Sequence, residues 1–231
     1  MRLRIRPTNI ISQFVKQVAE LEKEHDEIVD ALKGKKLRRK SENLLAEQFA
    51  ISLTIAWETF LDDLLLAYLH GGHHKYLRTL EDEVRKSLKK DFGKLCSESA
   101  HLAIASPLSK KELRALIDPK GRNLSVTSSD KLSAFARKHL LAGASKKFIL
   151  EKDDRNFYDF LFALRNYLAH RSSFARAVLK DAIVSFDDNG LNRGLHDGNP
   201  KVEAYLREVP AGTAGRMKII YARVKIIAKR F

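Results

Sequence analysis

The chain contains very little cysteine and no apolar stretch long enough to cross a bilayer. Its single cysteine, Cys96, excludes a disulfide within the chain and favours a reducing compartment. We expect Cys96 to be a half-buried small residue, because no neighbouring motif would activate it as a nucleophile. The most apolar run, "FAISLTIAW" at 49–57, is too short for a membrane span. The N-terminal "MRLRIRPTNI" lacks the apolar stretch of a signal peptide. These absences predict a cytoplasmic protein with no membrane partner.

Acidic residues are also in short supply relative to basic ones. The chain has 43 Lys and Arg against 29 Asp and Glu, a net charge of +14. Such a field attracts nucleic acid, anionic lipid or acidic protein. The excess is spread in clusters along the chain, which favours a polyanionic partner such as RNA. The run "KGKKLRRK" at 33–40 is either an arm that contacts RNA or a solvated connector.

Strand signals are sparse and the sequence has no internal repeat, whereas apolar residues at helical spacing recur along the chain. The pattern predicts an all-α bundle with additional helices and loops. An N-terminal helix and basic connector occupy 1–40 and a helical domain 41–231, unless 1–231 is a single domain. A long helix is expected from Ser41 to Gly71. Its middle is apolar nearly all round, so we place it at the centre of the bundle. The segment 187–200, rich in Gly, Asn and Asp, is predicted to be the longest loop.

A second strong helix contains "FLFALRNYLAHRSS" at 160–173, and Asp153 or Asp154 is expected to cap its N-terminus. Whether it continues beyond Ser172 stays open, as does the choice between helix and strand for the C-terminal segment. On an ideal helix Asn166 and His170 lie about 40° apart around the axis. Arg165 is about 140° from His170 by the same geometry and would have to curl its long side chain to join them. Alternatively, Arg165 pairs with Asp159 or Glu58.

The segment "LRNYLAHRS" resembles the signature of the HEPN superfamily: an arginine, a polar residue that is commonly Asn, and a histidine on one core helix. The segment "LLAEQFAISLTIAWETFLDDLLLAYL" resembles the long helix of stand-alone RNase-type HEPN domains, of the RiboL-PSP-HEPN type. The shared residues there are Trp57, Glu58, Phe60 and Leu61. The resemblance covers roughly 41–184.

This resemblance implies a HEPN-type helical bundle that forms a homodimer with a composite active site. Active members are metal-independent endoribonucleases, often toxins or antiviral effectors, and some have a neutralising antitoxin or effector partner. By resemblance Arg165 and His170 are the catalytic candidates and Asn166 supports them. Glu58 either orients these residues or serves only as a partner for a core arginine. Tyr167 and Arg171 flank the motif, where they contact a nucleotide or face the dimer partner.

The chemistry of RNA cleavage suits these residue types. RNA carries its own nucleophile, the 2′-OH, so neither a metal nor a cofactor is required. Histidine supplies a proton acceptor or donor near neutral pH, and arginine supplies forked donors for the phosphate as its charge builds up. The alternatives are an HEPN-like dimer that binds RNA or nucleotide without cutting it, and a protein-interaction partner. For the histidines of "HGGHH" at 70–74, helix termination by two glycines explains the pattern better than a metal site.

Overall fold

All regular structure that the computed structural model describes is helical, which confirms the all-α prediction. The described residues are 6–101, 108–118, 126–185, 191, 201–209 and 215–231. Apart from Leu191, the predicted loop 187–200 lies outside them. Their ten α-helices are α1 (Pro7–Ala31), α2 (Arg38–Gly71), α3 (His73–Ser99), α4 (Lys110–Ile117), α5 (Ser129–His139), α6 (Ala142–Ser145), α7 (Lys152–His170), α8 (Ser173–Val184), α9 (Val202–Arg207) and α10 (Arg216–Ala228). The C-terminal segment is therefore a helix.

The helices belong to two compact units. The first, here called the α3 unit, contains Arg6, Pro7 and the described residues of 62–126 and 130–149. The second, the α7 unit, contains 8–61, 127–129 and the described residues of 150–231. The boundary predicted at residue 40 stays a prediction, and the structure assigns residues on both sides of it to the α7 unit.

The α7 unit is built around aromatic side chains of α1, α2 and α7. Phe14 stacks on Phe60 with ring centroids 4.2 Å apart, and Trp57 meets Tyr158 edge-on at 6.0 Å. Phe231 lies 6.4 Å from Trp57, so the C-terminal residue belongs to the same cluster. Tilted and offset aromatic pairs of this kind add to the stabilisation that burial provides. The cluster fixes the register of α2 against α7, and both of these helices carry motif residues.

The N-terminus of α7 differs from the predicted capping. The capping position is Glu151, which makes no side-chain capping hydrogen bond. Asp154 is instead buried, 1% exposed, and accepts a hydrogen bond of 2.9 Å from Arg223 and a further one from Arg230. The first acidic turn of α7 therefore anchors the basic C-terminal helix α10. The sequence pattern missed this role because the two elements are far apart in the chain.

Helix α2 begins at Arg38, three residues before the predicted start, and it is not covered on all sides. Leu44 and Ile55 are 59% and 54% exposed. Together with Ile51 and Glu58 they share one face of the helix, because their spacings of 7, 11 and 14 residues return to within about 40° of Leu44. The predicted placement of α2 at the centre of the bundle therefore holds for its buried faces and not for this one.

In the α3 unit, side-chain hydrogen bonds complete the end of helix α5. Lys75 Nζ donates to the carbonyl oxygens of Arg137 at 2.8 Å and Leu140 at 2.5 Å, which a helix C-terminus leaves without partners of its own.

Helix α3 bends at Gly93, whose φ of 85° is accessible to glycine without strain. Cys96, beyond this bend, is exposed, so the expected half-burial is wrong. Among the described helices none contains a stretch long and apolar enough to span a bilayer.

Candidate active site on helix α7

Helix α7 carries the motif on its outer face near its C-terminus. Residues 160–164 and Leu168 are buried, whereas Arg165, Asn166 and Tyr167 are partly exposed and His170 is exposed. The helix ends at His170 because Arg171 adopts a left-handed conformation (φ 48°) and donates its backbone N–H to Tyr167 O at 2.7 Å. Ser172 then caps α8 by accepting from the Ala175 N–H at 3.1 Å. These two residues place His170 at an exposed corner between helices.

Arg165 is held by a carboxylate on α2. Its Nε lies 3.0 Å from Glu58 Oε1, and the two side chains are 38% and 27% exposed. Arg165 Nη1 also donates to Asn166 Oδ1 over 3.4 Å. Of the two partners considered from the sequence, Glu58 is therefore the one that Arg165 contacts. Asp159 instead accepts from the Ser129 N–H and hydroxyl, at 2.7 and 2.8 Å.

Burial and the neighbouring Arg165 shift the pKa of the Glu58 carboxyl in opposite directions. Burial raises the pKa of the Glu58 carboxyl above its ordinary value of 4.5, and the neighbouring Arg165 guanidinium offsets part of that rise. Burial disfavours the ionised carboxylate because it removes water, while an adjacent cation favours it. The carboxyl therefore binds its proton more tightly than an exposed glutamate does.

Glu47, which was not among the predicted site residues, pairs with the second arginine of the motif. Arg171 Nη2 forms an ion pair with Glu47 Oε1, and the Glu47 side chain is only 8% exposed. Glu47 and Glu58 are eleven residues apart, about 20° around the α2 axis, so one side of α2 presents both carboxylates to α7. The sequence feature that could have identified Glu47 together with Glu58 is their position, since they flank the apolar run 49–57.

The structure joins some of the predicted site residues and leaves others apart. Arg165, Asn166 and Glu58 are in contact, and Arg171 is tied separately to Glu47. In the described part of the chain, no hydrogen bond or ion pair connects His170 to any of them. Tyr167 contributes a backbone carbonyl to the end of α7. A single chain thus offers an oriented guanidinium and, nearby in sequence, an exposed imidazole.

The structure gives no support to a metal site in "HGGHH". His73 Nδ1 lies 3.3 Å from the His70 carbonyl oxygen, and the His73 and His74 rings are 6.3 Å apart. The described ranges contain no group of three or more His, Cys, Asp or Glu side chains arranged to hold a metal ion.

Chemically, the α7 site can bind an anionic oxygen through Arg165 and exchange a proton through His170. Arginine donates in a planar fork that matches phosphate, and an exposed imidazole can serve as acid or base near neutral pH. Scans against protein-family models, curated proteins and solved structures found no match to this chain. The resemblance to HEPN domains therefore rests on the residues quoted above.

Proposed function

We propose that the chain is a metal-independent endoribonuclease of HEPN type. The observation that carries this proposal is the arrangement on α7. Arg165 is fixed by Glu58 at 3.0 Å, and His170 is exposed at the end of the same helix. In the proposed reaction a histidine removes the proton from the 2′-OH, which attacks the adjacent phosphorus. Arg165 stabilises the charge on the phosphoryl oxygens, and the 5′-oxygen leaves with a proton. The products are a 2′,3′-cyclic phosphate and a 5′-hydroxyl.

The proposal includes a homodimer, in which two copies of the motif share one cleft. Exposed apolar side chains beside the motif support this arrangement: Leu44 and Ile55 on α2, and Phe174 and Val178 on α8, which are 78% and 41% exposed. Apolar surface of this kind is commonly covered by a partner. Two histidines, one from each copy, would divide the acid and base roles.

We further propose a role for the protein in the cytoplasm, in toxin activity or antiviral defence. The net charge of +14 suits an RNA substrate, since a basic surface attracts polyanions and speeds their association. The same charge suits an acidic antitoxin or effector partner that would cover the site. Both partners would compete for the basic surface.

The proposed activity is tested by incubating purified full-length protein with total RNA in EDTA. Wild type is expected to cut the RNA, and His170→Ala is expected to abolish cutting. The matched control is His101→Ala, which removes a histidine that is 78% exposed in the α3 unit. Activity lost in both variants, or retained in His170→Ala, would contradict the assignment of His170.

A second candidate function, an RNA-binding dimer that does not cut, is favoured by the pairing of both motif arginines. Glu58 and Glu47 neutralise Arg165 and Arg171, which reduces the positive charge available to a scissile phosphate, while the net charge of +14 still attracts RNA to the rest of the surface. Intact RNA retained on the protein with strong salt dependence would support this candidate. No effect on RNA and no retention would favour a protein-interaction partner instead.

A further inference from the structure

A cavity of about 330 Å³ lies in the α7 unit, separate from the α7 motif. It is partly open and is lined by the second half of α1, the first turns of α2, the end of α9 with the residues that follow it, and the start of α10. None of Arg165, Asn166, His170 and Glu58 lines it. Its volume falls at the lower end of the range for small-molecule sites, and Val29, Ala46, Leu206, Val209 and Met217 supply apolar surface.

The carboxylates that line the cavity are all neutralised by cations of the chain. The pairs are Lys218–Asp26 at 3.0 Å, Arg38–Glu42 at 2.7 Å and Arg216–Glu208 at 2.8 Å. Arg216 is itself 3% exposed and also donates to the Tyr205 carbonyl oxygen at 2.7 Å. These pairs leave no carboxylate of the wall without a cation.

Arg207 is the remaining charged side chain of the wall. Its Nε is buried and has no hydrogen-bond partner, and the described residues place no carboxylate within ion-pair distance of it. The wall carries three cations, Arg38, Arg207 and Lys218, and as many carboxylates. A buried donor without a partner costs free energy, although the Arg207 side chain as a whole is partly exposed. Because Glu208 pairs with Arg216, which lies outside the wall, Arg207 is left as a wall cation without a carboxylate among the described residues, and it can accept one anionic group.

A second unpartnered polar atom belongs to another residue of the wall. His25 is 8% exposed and lines the cavity, and its Nδ1 has no hydrogen-bond partner. The Asp26 Oδ1 atom is 3.9 Å from it, beyond hydrogen-bond distance. Burial lowers the pKa of the His25 imidazole below its ordinary 6.5, so at neutral pH it adds no charge. It can still donate or accept one hydrogen bond.

We propose that this cavity is a binding site for a small organic anion with one carboxylate or phosphate head and an apolar body. The head would take the guanidinium of Arg207, whose N–H groups suit a pair of anionic oxygens. His25 Nδ1 would bond a second polar atom of the ligand. The apolar body would cover Val29, Leu206 and Met217. Carboxylate and phosphate offer the same oxygen pair to the guanidinium, so the class of head is decided by measurement.

The test uses full-length protein titrated with three probes that differ only in the head group: 2-naphthoate, 2-naphthyl phosphate and the neutral 2-naphthamide. Binding is followed by calorimetry in wild type, Arg207→Gln and Arg207→Lys. The control is Arg155→Gln, which removes an exposed arginine of α7 with the same change of charge. Circular dichroism establishes that each variant is folded.

At least one anionic probe is expected to bind wild type and the Arg155 variant, with the amide binding about 10-fold more weakly or not at all. Arg207→Gln should weaken the anion by about 10-fold or more, and Arg207→Lys by less, since lysine keeps the charge and loses the fork. A preference between naphthoate and naphthyl phosphate identifies the head. No binding of either anion, equal binding of the amide, or binding unchanged in a folded Arg207→Gln would overturn the proposal. None of these outcomes depends on RNA cleavage.

Discussion

At the scale of single residues, the Arg165–Glu58 pair governs both the proposed chemistry and part of the pH dependence of stability. Arg165 is partly exposed and Glu58 is more deeply placed. The carboxylate therefore bears most of the cost of burial, while the guanidinium keeps its contact with water. Because burial acts mainly on Glu58, substituting Glu58 and substituting Arg165 should affect different properties of the protein.

Glu58→Gln is expected to change how stability depends on pH. The folded pKa of Glu58 is raised above its ordinary 4.5, so the folded protein binds this proton more tightly than the unfolded chain. The contribution of Glu58 to stability is therefore largest below pH 4.5 and is lost as the pH rises through the raised pKa. The free energy of unfolding of wild type, relative to Glu58→Gln, should fall over that range in denaturant titrations.

The matched control for this measurement is Glu20→Gln on α1, whose carboxylate is 62% exposed. The difference between wild type and this variant should not decline in the same way. A difference between wild type and Glu58→Gln that grew with rising pH would show that attraction by Arg165 outweighs burial.

Arg165→Gln is expected to lower the rate of RNA cleavage by about 100-fold, the usual effect of removing one donor that stabilises developing charge. Arg165→Lys should retain part of the rate, because it keeps a charge but loses the fork. Arg155→Gln, at an exposed position of the same helix, should retain the wild-type rate. Single-turnover cleavage of a labelled RNA measures all three. Equal rates for wild type and Arg165→Gln would remove Arg165 from the mechanism.

At the scale of helices, the fold depends on pairs of elements that sequence patterns do not reveal. The periodicity of apolar residues predicted α1, α2 and α7, because each pattern is local, and it left open whether the chain breaks near Ser172. It did not identify Asp154 as the anchor of α10, or Glu47 as the partner of Arg171. Both depend on which helices pack together, and local spacing does not carry that information. Arg165, Asn166 and His170 could be found from the sequence because they lie together in one short segment of α7.

Asp154→Ala should destabilise the protein by about 3 kcal/mol, because it leaves Arg223 and Arg230 without the buried carboxylate that they share. Thermal or denaturant unfolding measures this loss. Asp153→Ala, next along the same turn but exposed, is the control and should change stability little. Equal effects of the two substitutions would mean that Asp154 contributes only through the helix dipole.

At the scale of the whole molecule, the proposed shared cleft requires a second copy of the chain. Phe174→Glu places a charge in the exposed apolar surface beside the motif and should convert a dimer to a monomer, with loss of RNA cleavage. Phe92→Glu is the control, because Phe92 is 69% exposed but lies in the α3 unit. Light scattering after size-exclusion chromatography measures the mass. A wild-type protein that is monomeric and still cuts RNA would contradict the composite site.

The chemistry of the RNA ends tests whether His170 takes part in metal-independent cleavage of RNA. Mass spectrometry of fragments formed in EDTA should find 2′,3′-cyclic phosphate and 5′-hydroxyl ends with wild type and with His101→Ala. No such fragments should form with His170→Ala. Fragments that end in a 3′-hydroxyl, or cyclic-phosphate ends that persist in His170→Ala, would contradict the account.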